Sequence, residues 1–255
     1  MPAAAQDVSF DGKIVQGGVV FGRTEPGASL SLDGRAVRVS PDGRFVIGFG
    51  REARAARLDV TAGGASRTIE IAVAARRFDI QRIDGLPEAQ VSPDPAALAR
   101  IAEENVKLVA ARRRDTPEAL FAGGFQWPVT GRISGVYGSQ RILNGQPRAP
   151  HLGVDVVQPT GTPIRAAADG IVSLAESDLF FTGGTIVLDH GHGLSTIYAH
   201  LSRIDVAVGA RVRKGEPIAA LGATGRVTGA HLHWGMTWFD VRLDPALVVP
   251  TMRDE

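Results

Sequence analysis

All six histidines of the chain lie in its second half, at positions 151, 190, 192, 200, 231 and 233. Histidine is the commonest metal ligand and the side chain that titrates nearest neutral pH, so such clustering points to metal or proton-transfer chemistry. Two of the six sit in Gly229-Ala230-His231-Leu232-His233-Trp234, separated by one leucine. On a β-strand this spacing puts His231 and His233 on one face and Leu232 on the other. A second grouping is His151-Leu152-Gly153-Val154-Asp155. Gly153 and the valines at 154, 156 and 157 favour an extended segment, in which 151, 153 and 155 share a face and Gly153 leaves space between imidazole and carboxylate. His151, Asp155 and one histidine of the 231/233 pair would supply three nitrogen or oxygen ligands and leave one position open. That is the pattern of a catalytic rather than a structural zinc. Water bound there is acidified toward neutral pH and can attack a carbonyl. The spacing leaves open which member of the pair is the ligand.

A zinc peptidase also needs a proton acceptor for the attacking water and a donor toward the oxyanion. The helical His-Glu-x-x-His solution is absent, and no glutamate adjoins either histidine motif. The base is therefore sought in the non-ligand member of the 231/233 pair and in His200, within Ile197-Tyr198-Ala199-His200-Leu201. Asp189-His190-Gly191-His192-Gly193 has the look of a metal motif, but its glycines suit a tight turn between strands at 185–188 and 195–198. Both of its histidines are placed outside the metal shell.

The elements that must hold these residues are mostly strands. With 31 glycines and 15 prolines in 255 residues, and short runs rich in Val and Ile, the chain reads as mainly β with many turns. Residues 1–6 are a flexible start; Ala3-x-Ala5 resembles the end of a secretory signal, so an exported protein with its leader removed is expected, periplasmic or associated with the cell wall. Residues 7–80 read as a small β-sandwich-like domain. Its short runs, such as Ile14-Val15, Val19-Val20-Phe21, Phe45-Val46-Ile47 and Leu58-Asp59-Val60, are punctuated by Asp33-Gly34, Pro41-Asp42-Gly43 and Gly63-Gly64. It holds no histidine, and positioning or binding is its expected role.

Residues 81–125 read as a linker, with 81–92 a plain connector followed by one α-helix over about 95–112. Asp94 is placed to cap that helix and Pro95 to start it. Leu98, Ile101, Ala102, Val106, Val109 and Ala110 form its expected apolar stripe, and Arg112-Arg113-Arg114 a solvated end. From 126 to 250 the β texture returns, with Trp127-Pro128-Val129 among the strands, and 251–255 are a tail. A net charge of +1 argues against a nucleic-acid partner. The chain has no cysteine, which removes disulfides, thiolate zinc sites and cysteine nucleophiles. No apolar run is long enough to span a membrane.

Taken together, Trp127 to about Val249 resembles the lysostaphin/LytM-type zinc metalloendopeptidases, which hydrolyse peptidoglycan cross-links. The resemblance rests on His151-x-x-x-Asp155, Pro159-x-Gly161-Thr162-Pro163, Ala168-Asp169-Gly170-x-Val172, Asp189-His190-Gly191-x-Gly193, Tyr198-x-His200-Leu201, Val212-x-x-Gly215, and Thr224-Gly225 through His231-Leu232-His233. It implies a C-terminal antiparallel β-sheet peptidase domain, one zinc ion held by His151, Asp155 and His233, and His200 with His231 as the catalytic pair. It also implies peptidoglycan stem peptides and cross-links as substrate. Two features depart from the family. Trp234-Gly235 stands where Phe-Glu is common, and residues 139–150 form an insert just before His151, from which Asn144 could reach the open metal position. The N-terminal domain is a candidate for an autoinhibitory contact over the groove.

Two other function classes are weighed. An inactive relative that activates other wall hydrolases would have lost ligands, whereas all five positions are present here. A biotin- or lipoate-type carrier is set aside because Lys214, the only lysine after Lys107, is not at the tip between the two half-motifs.

Overall fold

The computed structural model describes residues 8–83, 97–143 and 145–252. The expected leader remnant at 1–6, the helix-start pair Asp94-Pro95 and Asn144 lie outside the described residues.

The fold is mainly β. The strands of the first half are β1 (Ser9–Gly12), β2 (Val19–Arg23), β3 (Ser29–Leu32), β4 (Arg35–Val37), β5 (Arg44–Gly48), β6 (Ala55–Ala62), β7 (Ala65–Ala72) and β8 (Ile80–Ile83). They make a three-stranded sheet, β1-β2-β5, and a four-stranded sheet, β4-β3-β6-β7. Alternation builds the second sheet: Ala56, Leu58, Val60 and Ala62 of β6 are buried while their neighbours face outward. The β6–β7 hairpin closes through Gly63 and Gly64, both at positive φ, as a two-residue turn matching the strand twist requires. Ile14-Val15 does not form a strand; Val15 makes only an isolated bridge to Ala74.

The second half contributes α1 (Leu98–Arg112), a 3-10 turn at Leu120–Gly123, then β9 (Arg132–Gly135), β10 (Gln140–Leu143), β11 (Gln146–Pro147), β12 (Val154–Val157), β13 (Pro163–Arg165), β14 (Gly170–Leu179), β15 (Gly183–Asp189), β16 (Leu194–Ile204), β17 (Arg211–Val212), β18 (Pro217–Leu221), β19 (Leu232–Trp238) and β20 (Val241–Leu243). The large antiparallel sheet runs β17-β14-β15-β16-β19-β12-β9, with β18 pairing β16 and β13, and β20 pairing β19. One continuous core joins the halves: Val20, Phe45 and Ile47, with Leu30, Leu58 and Val60, pack in the same cluster as Tyr198, Leu232, Trp234, Met236 and Leu243. At Gly48 a Cβ would come within 2.8–3.2 Å of Leu243 and Trp238, so the approach of β5 to β19 and β20 needs glycine there.

Four sequence expectations are corrected. The connector at 81–92 begins inside β8, which pairs in parallel with β10, so the insert before His151 is a hairpin stitched to the N-terminal half rather than a free loop. Trp127-Pro128-Val129 is irregular; Trp127 instead donates its indole N–H to the Pro250 carbonyl. On α1 the buried residues are Leu108 and Ala111, while Leu98, Val106 and Val109 of the expected stripe face outward. In this orientation Glu104 accepts from the backbone N–H of Phe180 at 2.8 Å. Finally, the arginine run is a solvated end at Arg113 and Arg114, which are exposed, but not at Arg112. Arg113 pairs with Asp240 at 2.8 Å, and Arg112 is drawn inward with its Nε buried and without a partner.

Candidate metal centre

Antiparallel pairing of β12 with β19 sets Asp155 directly opposite His233, and pairing of β19 with β16 sets His233 opposite Ala199. Directly opposed residues project to the same face, so the register alone brings the Asp155 carboxylate against the His233 ring. Leu232 and Trp234, on the alternate face, are fully buried and hold the strand to the core. Between the two polar groups, Gly153 leaves room that a Cβ would fill: it would lie 2.7 Å from His233 Cε1, 2.8 Å from His233 Nε2 and 2.6 Å from the Trp234 carbonyl oxygen.

Three donor atoms converge. His151 Nε2 lies 3.0 Å from Asp155 Oδ1 and 3.0 Å from His233 Nδ1, and His233 Nδ1 lies 2.9 Å from Asp155 Oδ1. This is nearly an equilateral triangle. In tetrahedral zinc sites with bonds of about 2.0–2.1 Å, ligand atoms stand about 3.3–3.4 Å apart, so the triangle is close to one face of such a site. His151 Nδ1 lies 3.1 Å from the Val136 carbonyl, to which it donates its proton, turning the Nε2 lone pair inward. Three lone pairs aimed at one point are mutually repulsive unless a cation occupies it, and the donor set of two imidazoles and a carboxylate suits zinc.

The electrostatics of the bare site follow from this crowding. Burial alone would raise the Asp155 pKa, but in the metal-free site the adjoining rings of His151 and His233, when protonated, donate to it, overcome burial and hold the carboxyl far below its ordinary range. Burial would lower His151, but Asp155 turns the balance and its pKa rises. In His233 burial prevails and the pKa falls. All three are therefore set for an ionised carboxylate flanked by imidazoles.

Two further imidazoles border the triangle without entering it. The His231 ring is 4.7 Å from that of His200, and His231 Nε2 is 3.9 Å from Asp155 Oδ1. The His200 ring is 6.2 Å from that of His233. Each is oriented by a backbone carbonyl: His231 Nδ1 donates to Gly229 at 2.9 Å, and His200 Nδ1 donates to Thr224 at 2.9 Å. In the neutral form of either ring the free lone pair is therefore on Nε2. Burial depresses the His200 pKa to about 4, so the ring is neutral near pH 7. His151, Asp155, His231 and His233 keep 18–24% of their side chains exposed, enough for a substrate to reach them.

His200 reaches this place against the alternation of its strand. Ala199 opposes His233, so a regular β16 would turn His200 to the opposite face. The register shifts by one residue between the 186/198 and 184/201 pairs, and His200 takes a left-handed φ of 66°. This β-bulge re-aims the side chain, a device common beside active sites. Sequence reasoning could not find the bulge, nor the roles of the carbonyls of Val136, Gly229 and Thr224 that orient the rings, although Gly229 and Thr224 stand within the quoted motifs.

The remaining histidines lie elsewhere. His190 is fully buried, donating from Nδ1 to the Asp169 carbonyl at 2.7 Å, with Nε2 2.7 Å from Thr196 Oγ1. His192 donates from Nε2 to the Pro117 carbonyl at 3.0 Å and packs edge-on to Phe121. They tie residues 116–125 to the sheet. Among the described residues, no side chain of 8–83 bonds to any of the five residues of the cluster.

Comparison with known proteins places this geometry. Residues 149–245 match the model of "Peptidase family M23". The peptidoglycan DD-endopeptidase ShyC of Vibrio cholerae is 40% identical over 119 residues, which is 46% of this chain and 27% of that protein. The DD-carboxypeptidase/endopeptidase Mpg of Neisseria meningitidis is 44% identical over 84 residues, 33% of this chain and 19% of that protein. The chain thus spans about a quarter or less of the length of these curated relatives. A crystal structure from Pseudomonas aeruginosa, described as a peptidase M23, superposes with a TM-score of 0.72 at 31% identity, over 92% of this chain and 95% of that one. A shared β architecture over nearly both whole chains, with a family match that runs from just before His151 to beyond His233, identifies the chain as a member of peptidase family M23.

Proposed function

We propose that the chain is a zinc-dependent endopeptidase that hydrolyses the peptide cross-links of bacterial peptidoglycan, acting outside the cytoplasm. In this reading His151, Asp155 and His233 hold one zinc ion, and His200 and His231 are the catalytic histidines. The observation that carries it is the triangle of donor atoms at 2.9–3.0 Å with two correctly tautomerised imidazoles at its border. The relatives named for peptidoglycan endopeptidase activity support the choice of substrate.

Zinc, when bound, supplies Lewis acidity toward a water molecule and toward the scissile carbonyl. The protein's own groups do the rest. Asp155 is kept ionised by its two imidazole neighbours, so the site offers a negative charge together with two imidazole nitrogens. His231 and His200 face one space with their Nδ1 atoms engaged by backbone carbonyls, so either ring, when neutral, can accept the proton of an attacking water at Nε2. With its pKa near 4, a protonated His200 is a strong acid that surrenders its proton readily to the leaving amine. The same N–H, while present, donates to the developing oxyanion.

Purified protein loaded with zinc should release new peptide termini from isolated sacculi, identified by mass spectrometry. His233→Ala should bind no stoichiometric zinc, whereas His231→Ala should keep zinc and lose turnover by about 10²-fold or more, the scale of losing a general acid–base group. Full activity of His231→Ala would remove that histidine from the mechanism; intact sacculi in the presence of stoichiometric zinc would remove the substrate.

A further inference from the structure

The fold holds His151 differently from the other two donors. Asp155 and His233 oppose each other in the β12–β19 ladder, inside the large sheet. His151 precedes β12 and belongs to no strand. Among the described residues, all its hydrogen bonds outside the donor triangle go to one turn, residues 136–139. Its backbone N–H donates to the Ser139 carbonyl at 2.8 Å, and its carbonyl accepts from the Gly138 N–H at 2.7 Å. Its ring donates from Nδ1 to the Val136 carbonyl at 3.1 Å. The Ser139 hydroxyl donates to that same carbonyl at 2.9 Å. The turn is therefore the socket that sets both the place and the tilt of this ligand.

The N-terminal half grips this socket. Arg51, in the loop that follows β5, donates from Nε to the Gly138 carbonyl at 3.0 Å. A charged donor makes this bond roughly twice as strong as one between neutral groups. The guanidinium lies 4.6 Å over the Phe78 ring and pairs with Glu52, and the Arg51 side chain is only 15% exposed. The donor is thus fixed by its own packing. Gly138 has a φ of 84°, and a Cβ there would strike the Phe78 ring, so this close approach needs glycine. Phe78 also packs edge-on to Tyr137 at 6.1 Å, and the Tyr137 hydroxyl donates to the Arg242 carbonyl at 2.9 Å. Just past the turn, the Gln140 N–H donates to the Asp79 carbonyl at 2.9 Å, where β10 joins β8. Arg51, Phe78 and Asp79 together hold residues 137–140 from the N-terminal side of the chain.

We propose that Arg51 is a positioning residue for the metal centre: through the Gly138 carbonyl it seats the 136–139 turn that holds His151. The inference deepens the metal reading and rests on it for the zinc measurement below. It gives the N-terminal β domain a function at the site, exerted through backbone and not by contact with the donor cluster. Only one ligand of the three depends on it, since the β12–β19 ladder fixes Asp155 and His233 without help from residues 8–83. Removing a group that orients a metal ligand lowers affinity by about 10–100-fold. Arg51 acts one step further out, so the lower end of that range is expected.

Two measurements on the full chain test it. In the metal-free protein, amide hydrogen exchange followed by NMR reads the Gly138 and His151 N–H groups directly. In Arg51→Ala both should exchange about tenfold faster or more, while the ladder N–H groups of β12 and β19 keep their protection. Zinc affinity, from competition against a chromophoric chelator, should fall by about tenfold in Arg51→Ala and by less in Arg51→Lys, which keeps a charged donor. Arg38→Ala removes a different contact of the N-terminal half, the pair with Asp115, and should change neither quantity. If Arg51→Ala does not fold, Arg51→Lys carries the same comparison at smaller amplitude. Unchanged exchange at Gly138 and His151 would overturn the proposal. Faster exchange spread evenly over both halves would also overturn it, as the sign of a general loss of stability. Faster exchange confined to the turn, in a chain that takes up no stoichiometric zinc, would keep the hold of Arg51 on His151 and reject the metal reading instead.

Discussion

At the scale of single residues, the cluster depends on one small side chain as much as on its ligands. Gly153 is placed where any Cβ would press on His233 and on the Trp234 carbonyl. Because the Trp234 backbone is fixed in the sheet, the ring is the part that must give. Gly153→Ala should therefore lower zinc affinity by on the order of tenfold or more, comparable to losing an orienting partner of a ligand. Competition against a chromophoric chelator measures it, and unchanged affinity would mean that the strand shifts instead. The sequence pattern had already suggested open space between His151 and Asp155, because a glycine midway between two polar residues on a strand leaves a gap on their face.

At the scale of elements, α1 shows where periodicity misleads. An apolar stripe at three- and four-residue spacing is a sound sign of a buried face. Here Val106 is 71% and Leu98 51% exposed, and the packed side centres on Leu108 and Ala111. The helix seats Leu108 and Ala111 on Leu174, Leu179, Val187 and Ile197 and sets Glu104 to accept from the Phe180 N–H, tertiary contacts that a hydropathy pattern does not contain. The consequence is measurable by urea unfolding. Leu108→Ala should cost about 2–3 kcal/mol as a core truncation, while Val106→Ala should change stability by less than about 0.5 kcal/mol as an exposed substitution. Equal effects would show that the face is assigned wrongly.

The whole molecule carries a set of buried neutral histidines, and these give it an acid sensitivity. Burial lowers the pKa of His190, His192, His233 and His200, the last to about 4. In the unfolded chain each returns to about 6.5. Between those values the unfolded state binds more protons than the folded one, so stability falls as pH drops from about 6.5 toward 4 and is level above about 7. His151, whose pKa is raised, has the opposite sign: its contribution is present below the unfolded value and is lost as pH rises through the folded one. Four lowered groups outweigh it. Asp155 adds its own loss only at more acid pH, below the ordinary aspartate range. Thermal midpoints of the chelator-treated protein across pH 4.5–8 should show this decline, and a level profile would refute it.

How much was legible in the sequence follows from the range of each interaction. Strand alternation and two-residue turns are local, so Leu232 between His231 and His233, the alternating β6, and the Asp33-Gly34 and Gly63-Gly64 turns could be read from neighbouring residues alone. The candidate zinc donors were legible as types, since few residues can ligate a metal and they recur at strand spacing. Only the tertiary structure decided the rest. Opposing His233 to Asp155 required the register of β12 on β19, a contact between residues 78 apart in the chain. Bringing His200 to the same face required a bulge, because regular alternation sends it to the other side. The tautomers were chosen by the carbonyls of Val136, Gly229 and Thr224.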